Sequence, residues 1–296
     1  MIKIEDLHLS FKDKKVLKGL NLNIPEGSIF GFIGKNGAGK TTTMKAILGI
    51  LTPDSGSIYV NSEKVVFSGL NTNKYIGYLP DVPEFYSFMT AYELLKFCAE
   101  ITGICKDEIK PRIEDMLKLV GLENEKHQIK GFSRGMKQRL GIAQALLNKP
   151  KLLICDEPTS ALDPIGRKQI LDILKNVSRE TTVLFSTHIL SDVEKICTDV
   201  AFLDEGVIKV EGKLLDIKNR YGKEEYTVEL KMKEDILKLI ENVKDLYQKD
   251  ENSLTFINEE NKLFEVLEFI NSNKISIVKL EKNELTLESL FMEVVK

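Results

Sequence analysis

A glycine-rich segment that ends in a lysine and a threonine is the part of the sequence best suited to hold phosphate. Residues 34–41 read GKNGAGKT, which satisfies the pattern G-x-x-x-x-G-K-[ST]. Glycines let backbone N–H groups converge on phosphate oxygens, Lys40 can reach the β- and γ-phosphates of a nucleotide, and the Thr41 hydroxyl can hold Mg²⁺. The alternative, a glycine-rich turn that binds nothing, is disfavoured because every required position is present.

Two adjacent acids, Asp156 and Glu157, form a second group with chemical potential. They follow residues 151–155, an apolar run that predicts a fully buried parallel strand. Ligands of open α/β sheets bind at the carboxyl ends of the strands. This placement fits a Mg²⁺-linked carboxylate, Asp156, and a base that polarises water, Glu157. A solvated turn is the simpler interpretation of such a pair.

The run FSRGMKQRL is a second candidate for binding an anion. Ser133 is predicted to be the N-cap of a helix that contains Leu140, Ile142 and Leu146, so that its hydroxyl and the following N–H groups form an anion site. An ordinary capped helix explains Ser133 alone equally well. The glycine-rich segment 34–41 is a phosphate-binding loop, or P-loop. A second anion site that the chain's own P-loop cannot share makes best sense across a dimer.

These groups depend on strands that end close together. The P-loop lies between a strand-like run at residues 28–33 and a helix-like run at 42–50, and a further apolar strand at 182–186 ends just before His188. Strands and helices that alternate in this way indicate an α/β fold with a parallel sheet.

The P-loop, the run FSRGMKQRL and the run CDEPTSALDP, in this order, resemble the nucleotide-binding subunit of ATP-binding cassette (ABC) transporters over about residues 1–215. The resemblance implies an α/β fold: a P-loop ABC ATPase cassette with a mixed sheet core, an N-terminal antiparallel β-subdomain and a helical subdomain at about residues 82–147. It implies ATP and Mg²⁺ as cofactors. It also implies that two cassettes pair head to tail, with each ATP between the P-loop of one cassette and the signature segment of the other, which in this chain is the run FSRGMKQRL.

The resemblance also assigns roles to individual residues. It places catalysis on Glu157, His188 and Lys40, and metal binding on Thr41, Asp81 and Asp156. Nucleotide binding is assigned to Phe11, Val16, Gly34, Asn36, Gly37, Ala38, Gly39, Lys40, Thr41, Thr42, Ser133, Gly135 and Asp163.

Four of these residues have a simpler interpretation as well. Phe11, which would stack on adenine, could be a strand-end phenylalanine, and Asp163 could be a turn residue. His188 alone would be read as a hydrogen-bonded histidine at a strand end, but its place after the other motifs favours a role in sensing the γ-phosphate. Asp81 stands where the family usually has glutamine, and a loop aspartate is an equally good interpretation.

The signature segment departs from the usual LSGGQ pattern at two positions. Arg134 replaces a glycine and Met136 replaces the glutamine, while Ser133 and Gly135 are kept. Arg134 could lend charge to the γ-phosphate or point to solvent, and both interpretations stay open.

An aromatic stretch lies between the P-loop and the signature. Residues 85–89 and the helix-like run 91–101 predict a buried aromatic cluster, although aromatic side chains also form docking surfaces. In the resembled family this surface receives a short helix of the membrane subunit.

Residues 223–296 predict a separate α+β accessory domain after an ABC domain at 1–222. The pattern gives the order βαββαβ, compatible with a ferredoxin-like sheet, with the last strand at residues 275–280 and a closing helix at 287–295. Exporter subunits for drugs, peptide antibiotics and other small molecules often carry a similar extension, so the resemblance favours export.

Composition limits the partners. The chain has 296 residues, a net charge of −3, 43% hydrophobic and 29% charged residues, which predicts one large core and a smaller one and disfavours nucleic acid as a partner. No run reaches the length of a membrane span and the start lacks signal-peptide features, so we expect a cytosolic chain that reaches the membrane through a separately encoded transmembrane permease. The alternatives are a soluble ABC ATPase that remodels a macromolecular complex and a weakly hydrolytic regulator.

Overall fold

The structure is a computed structural model that describes residues 1–12, 14–69, 71–222, 224–259, 261–283 and 285–294. The predicted domain limits Lys223 and Lys296 and the predicted helix end Val295 lie outside the described residues. The strands are β1 (Ile2–Phe11), β2 (Lys14–Ile24), β3 (Ile29–Ile33), β4 (Ser55–Val60), β5 (Glu63–Lys64), β6 (Ile76–Leu79), β7 (Leu152–Asp156), β8 (Thr182–Thr187), β9 (Asp199–Asp204), β10 (Val207–Lys213), β11 (Glu225–Leu230), β12 (Tyr247–Gln248), β13 (Ser253–Ile257) and β14 (Ile277–Asn283). The helices are α1 (Lys40–Ile47), α2 (Ala91–Ile101), α3 (Lys106–Leu119), α4 (Arg134–Leu146), α5 (Pro164–Val177), α6 (Leu190–Ile196), α7 (Leu214–Tyr221), α8 (Lys233–Asn242), α9 (Lys262–Ser272) and α10 (Leu287–Val294).

The chain divides into two units, the first spanning Met1–Leu214 and the second Leu215–Glu293. In the first unit, a six-stranded sheet has the order β10-β9-β3-β8-β7-β6, in which β9, β3, β8, β7 and β6 run parallel and β10 pairs antiparallel with β9. Every residue of β3, β7 and β8 is buried, as expected for central parallel strands that read as continuous apolar runs.

A second sheet of the first unit, β2-β1-β4-β5, is antiparallel. Its inward-facing residues, such as Ile4 and Leu22, share one hydrophobic cluster with Phe30 of β3 and Ile154 of β7. Helices α2, α3 and α4 contact one another, and α4 packs on the edge strand β6. The α/β fold class is confirmed, with its mixed sheet, antiparallel β-subdomain and helical segment.

The second unit is an α+β layer. Its sheet has the order β12-β13-β11-β14 with all neighbours antiparallel, which is the strand order of a ferredoxin-like fold built from βαββαβ. Helices α8 and α9 contribute to one hydrophobic cluster with the strands: Val228, Leu230, Ile236, Leu239, Val243, Leu254, Phe256, Val266, Ile270 and Ile275.

The last strand differs from its predicted position. The apolar residues at 275–280 predicted the strand there, whereas β14 runs Ile277–Asn283 because the backbone stays paired with β11 as far as Asn283 opposite Glu225. Charged side chains in the second half of β14 hid this extension.

None of the helices in the described part of the chain combines the length and the apolar character needed to span a bilayer.

Candidate nucleotide site

Four neighbouring strands bring the predicted site residues to one edge of the sheet. The P-loop follows β3, His188 follows β8, Glu157 follows β7 and Asp81 comes two residues after β6. Because β3, β8, β7 and β6 are adjacent and parallel, their carboxyl ends meet at the same edge. Motifs that are far apart in the sequence therefore lie close together in the structure.

The P-loop conformation depends on glycine at two positions. Gly39 precedes α1 with φ at 115°, a left-handed conformation that suits glycine. A Cβ on Gly34 would lie 2.5 Å from the backbone oxygen of Leu203, so the loop passes too close to β9 for a side chain. Helix α1 then begins at Lys40, and its N-terminal N–H groups favour an anion in the loop.

Lys40 lies inside the loop and is 6% exposed. Its Nζ donates to the carbonyl oxygens of Gly34 at 2.7 Å and Lys35 at 3.3 Å. The same Nζ is 3.1 Å from Oε1 of Glu157, an ion pair that lacks hydrogen-bond alignment. The ammonium group thus connects the phosphate-binding loop to the predicted base.

Asp156 is the centre of a buried hydrogen-bond network. The Thr41 hydroxyl donates to its Oδ2 at 2.7 Å, and the Ser186 hydroxyl donates to its Oδ1 at 2.6 Å. The backbone N–H of Glu157 donates to the same Ser186 oxygen at 2.9 Å. Ser186 on β8 therefore fixes both acids that end β7.

Glu157 is held between two basic side chains. Its Oε2 is 2.8 Å from Nδ1 of His188, while Oε1 faces Lys40. The Glu157 backbone has φ at 48°, in the left-handed region that residues other than glycine seldom adopt. Such strain at the end of a strand is typical of residues placed for function.

An open cavity of about 530 Å³ lies beside the P-loop. The described residues that line it are Phe11, Lys14, Val16, Asn36, Gly37, Gly39, Lys40, Thr41, Thr42, Asp81, Asp156 and Glu157. Most of the predicted site residues therefore meet around one space. Gly34, Ala38, His188, Ser133, Gly135 and Asp163 are not among these lining residues.

Three of the predicted residues outside the cavity lining lie at helix starts. Ser133 is the N-cap of α4 and accepts a hydrogen bond from the Met136 N–H at 3.2 Å. Gly135 lies in the first turn of the same helix, where a Cβ would have open surroundings apart from Leu162 at 3.9 Å. Asp163 is the exposed N-cap of α5 and accepts from the Gly166 N–H at 3.1 Å.

The two unusual residues of the motifs contact each other. Nη2 of Arg134 lies 3.4 Å from Oδ1 of Asp81, and both side chains are about half exposed. Gln138, which follows on α4, donates to the Asp81 backbone oxygen at 2.5 Å. Burial raises the pKa of the Asp81 carboxyl, while Arg134 acts in the opposite direction. The departures from the family pattern at positions 81 and 134 therefore form a pair.

The oxygen atoms near Asp156 suit a magnesium ion. Thr41 and Asp156 supply one hydroxyl and one carboxylate within 2.7 Å of each other, and Mg²⁺ in nucleotide sites takes such ligands together with phosphate oxygens and water. In the described part of the chain, no group of three His, Cys, Asp or Glu side chains could hold a metal by itself. The residues present fit an ion that arrives with the nucleotide.

Sequence reasoning missed two residues of this site. Ser186 was only the end of an apolar strand, and its signal was a polar residue at the carboxyl end of a buried run. Lys14 lies across the β1–β2 hairpin from Phe11 and lines the cavity, but a lysine between Phe11 and Val16 carries no signal of its own in the sequence. Neither residue type is distinctive, because strand ends and turns are often polar.

The prediction of a buried aromatic cluster is wrong. Tyr86 is 54% exposed and Phe88 64%, and Tyr86 packs edge-on against the ring of Phe97 with centroids 6.0 Å apart. Helix α2 buries Ala91 and Leu95 on its other side, which leaves the aromatic side chains on the surface.

Comparison with known proteins agrees with this geometry. Residues 17–160 match the sequence profile described as ABC transporter, and residues 212–295 match that of the DrrA1-3-like ATP-binding protein, C-terminal domain. The bacitracin transport ATP-binding protein BcrA of Bacillus licheniformis is 42% identical over 226 residues, which is 75% of this chain and 73% of that protein.

Two further proteins are similar. The lantibiotic transport ATP-binding protein SrtF of Streptococcus pyogenes is 41% identical over 213 residues, 71% of this chain and 90% of that protein. A dimeric structure of a post-hydrolysis state of the ATP-binding cassette MJ0796, bound to ADP and Pi, has a TM-score of 0.64 and 26% identity, and the match covers 72% of this chain and 99% of that chain.

Proposed function

This chain belongs to the ABC transporter family as an ATP-binding and ATP-hydrolysing subunit, and we propose that it powers the export of a small molecule, drug or peptide. The observation that carries the ATPase mechanism is the position of Glu157. Its carboxylate lies at the edge of the nucleotide cavity, 3.1 Å from Lys40 and 2.8 Å from His188.

In the proposed reaction, water attacks the γ-phosphate in line with the leaving oxygen of ADP. Glu157 accepts the proton of that water as the new P–O bond forms, and His188 orients the carboxylate and the water. Lys40 moves from the carbonyl oxygens of Gly34 and Lys35 to the phosphate, where its positive charge stabilises the negative charge on the phosphate oxygens in the transition state.

We assign magnesium binding to Thr41 and Asp156, with Asp81 lining the same cavity. The ion supplies charge that neutralises the phosphate oxygens. Ser186 keeps Asp156 in position through the bond to Oδ1, which leaves Oδ2 directed to Thr41.

Two copies of the chain, or one copy and a homologous cassette, complete each site in this proposal. The cavity of one copy supplies the P-loop half of the nucleotide site. Ser133 and Asp163, the N-cap residues of α4 and α5, lie outside the lining of that cavity and are exposed, so a partner can contact them. The dimeric ADP and Pi complex of the similar cassette supports such pairing.

We propose a separately encoded transmembrane permease as the second partner, with this chain at the cytoplasmic face of the membrane. The exposed rings of Tyr86, Phe88 and Phe97 support that assignment, because a surface helix of the permease could bury them. Export is supported by the similarity to bacitracin and lantibiotic transport proteins.

The catalytic assignment is tested by Glu157→Gln. This change keeps the size of the side chain and removes the base, so we expect ATP affinity within a fewfold of wild type and a turnover about 10²- to 10⁴-fold lower. The matched control is Glu180→Gln, at an exposed residue that precedes β8 and does not line the cavity. Turnover in the Glu157→Gln protein equal to that of the control would contradict the role of the base.

Export is tested in cells that lack the chain. We expect lower resistance to bacitracin or to a lantibiotic, restored by wild-type protein and not by the Glu157→Gln variant. Unchanged resistance to a wide panel of peptide and small-molecule drugs, in spite of active ATP hydrolysis, would contradict export and leave the ATPase assignment intact.

A further inference from the structure

We propose that β14 is an interaction edge at which two copies of this chain join their second units into one continuous sheet. The two β14 strands pair antiparallel around a two-fold axis at Leu280. This interface is additional to the pairing of cassettes around ATP, and it does not depend on nucleotide.

The first observation is an open edge. Strand β14 is the last in the sheet order and pairs with β11 alone among the described strands. All its residues from Ile277 to Lys282 are exposed, and Asn283 is half-buried. The pairing of β14 with β11 is regular from Lys279 to Asn283 and shifts its register at Val278. The regular part offers its outward N–H and C=O groups to any strand that can align with it.

The second observation is that the apolar face of the sheet continues onto β14, where its side chains are exposed. Leu280 lies directly opposite Val228, and opposed residues of an antiparallel pair share a face. Val228 is fully buried in the cluster under α8 and α9, whereas Leu280 is 39% exposed. Ile277 lies opposite the fully buried Leu230, beyond the register shift of β14, and is 40% exposed. The core layer of this unit therefore ends in two apolar side chains that a further strand would cover.

The third observation fixes the register. With the axis at Leu280, each Lys279 lies opposite Glu281 of the partner subunit, and each Val278 lies opposite Lys282 of the partner subunit. Lys279 and Glu281 already form an ion pair along their own strand, so the dimer would hold an alternating square of four charges. Opposite charges in directly opposed positions stabilise a pair of strands.

Neighbouring registers are worse. A shift of one residue would turn the core faces of the two sheets to opposite sides, because side chains alternate along a strand. An axis at Lys279 would place two lysines opposite each other, and an axis at Glu281 would do the same with two glutamates. The single register that keeps the core face continuous and pairs unlike charges is the one centred on Leu280.

Charges on edge strands commonly prevent association, so their pattern matters. A protective strand would repel its own copy in any register. Here Lys279 and Glu281 have opposite sign and lie one residue to either side of Leu280, so the strand is complementary to itself. Self-complementarity about one point is the property that a two-fold interface requires.

Charge reversal tests the proposal on the full-length chain without nucleotide, by sedimentation velocity over a range of concentrations. Lys279→Glu and Glu281→Lys each replace two attractive pairs with two repulsive ones, so we expect each to raise the dimer Kd by about 10- to 100-fold. The double variant Lys279→Glu/Glu281→Lys restores the unlike pairs and should return the Kd to near that of wild type. The control Lys238→Glu makes the same charge change on exposed α8 and should leave the Kd unchanged.

Disulfide trapping tests the register. In a Cys98→Ser/Cys105→Ser background, in which the remaining thiols of Cys155 and Cys197 are buried, Leu280→Cys should form a covalent dimer under mild oxidation. Val278→Cys alone should not, because its predicted opposite residue is Lys282 of the partner subunit.

A wild-type chain that sediments as a monomer without nucleotide overturns the proposal and leaves the edge to a strand of another protein. So does a double variant that stays as dissociated as either single one, or a Val278→Cys protein that crosslinks as readily as Leu280→Cys. Normal hydrolysis in any of these proteins would show that the ATPase assignment stands separately.

Discussion

Replacement of Ser186 by alanine tests whether the two acids of the site are held in place by β8. The Ser186 hydroxyl is fully buried, donates to Asp156 Oδ1 at 2.6 Å and accepts from the Glu157 N–H at 2.9 Å. Ser186→Ala removes both bonds and adds no bulk. The substitution leaves Asp156 Oδ1 and the Glu157 N–H without their bonds to the buried Ser186 hydroxyl.

The magnitude follows from these two bonds. A hydrogen bond to a charged group contributes about 1.5–3 kcal/mol and one between neutral groups about 0.5–1.5 kcal/mol. We therefore expect Ser186→Ala to lower the free energy of unfolding of the first unit by about 2–4 kcal/mol. Because outer partners of a metal-binding carboxylate typically change metal affinity or activity by about 10- to 100-fold, we expect a similar loss of ATPase turnover.

The assay combines urea unfolding with steady-state ATPase. The chain contains no tryptophan, so far-UV circular dichroism is the appropriate unfolding signal. Ser178→Ala is the matched control. Ser178 follows α5, and its hydroxyl donates to the backbone carbonyl of Lys175 within that helix. A Ser186→Ala protein that unfolds and hydrolyses ATP like the control would refute the reasoning. A destabilised protein with full turnover would show that the serine stabilises the fold without positioning the acids.

Two further predictions concern Asp81 and the P-loop. Burial raises the Asp81 pKa, so the folded protein binds this proton more tightly than the unfolded chain and loses the corresponding stability as the pH rises above about 4. The side chain of Asp81→Asn stays neutral at every pH. The unfolding midpoint of wild type should therefore fall relative to that of this variant as the pH rises from 4 to 6. If the midpoints of the two proteins change with pH in the same way, the Asp81 pKa is not raised by folding. Gly34→Ala should weaken ATP binding and lower the free energy of unfolding by about 1–3 kcal/mol, because its Cβ would meet the Leu203 oxygen at 2.5 Å. Gly131→Ala, whose Cβ would have no neighbour within 4 Å, is the control, and equal midpoints for the two proteins would rule out the close approach.

The sequence was sufficient where chemistry and strand ends coincide. The P-loop, Asp156 and Glu157 each follow an apolar run, and parallel strands bring such positions to one edge whatever their order in the sheet. Their spacing therefore predicted the cluster around the cavity. The pairing of Asp81 with Arg134 was outside the reach of the sequence, because it depends on α4 packing against β6 across 53 residues of chain.

Other features depended on which side of an element is covered. The aromatic residues of 85–97 are apolar enough for a core, but Leu94 and Leu95 already fill the buried side of α2, and the face with Phe97 is left exposed. Strand β14 shows the converse error. Its charged residues Glu281 and Lys282 lay beyond the predicted strand, yet pairing with β11 holds them extended, since an edge strand can carry charges toward solvent.

The left-handed backbone of Glu157 places the stability of the fold and the ATPase activity in conflict at this position. A non-glycine residue with φ at 48° costs on the order of 1–3 kcal/mol, so Glu157→Gly would relax the turn after β7. A laboratory selection that rewarded heat resistance alone would favour that change and yield a sturdier protein unable to turn over ATP. The acidic side chain therefore lowers the stability of this turn in exchange for its proposed catalytic role, and substitutions that raise the thermal stability of this ATPase should be sought elsewhere in the chain.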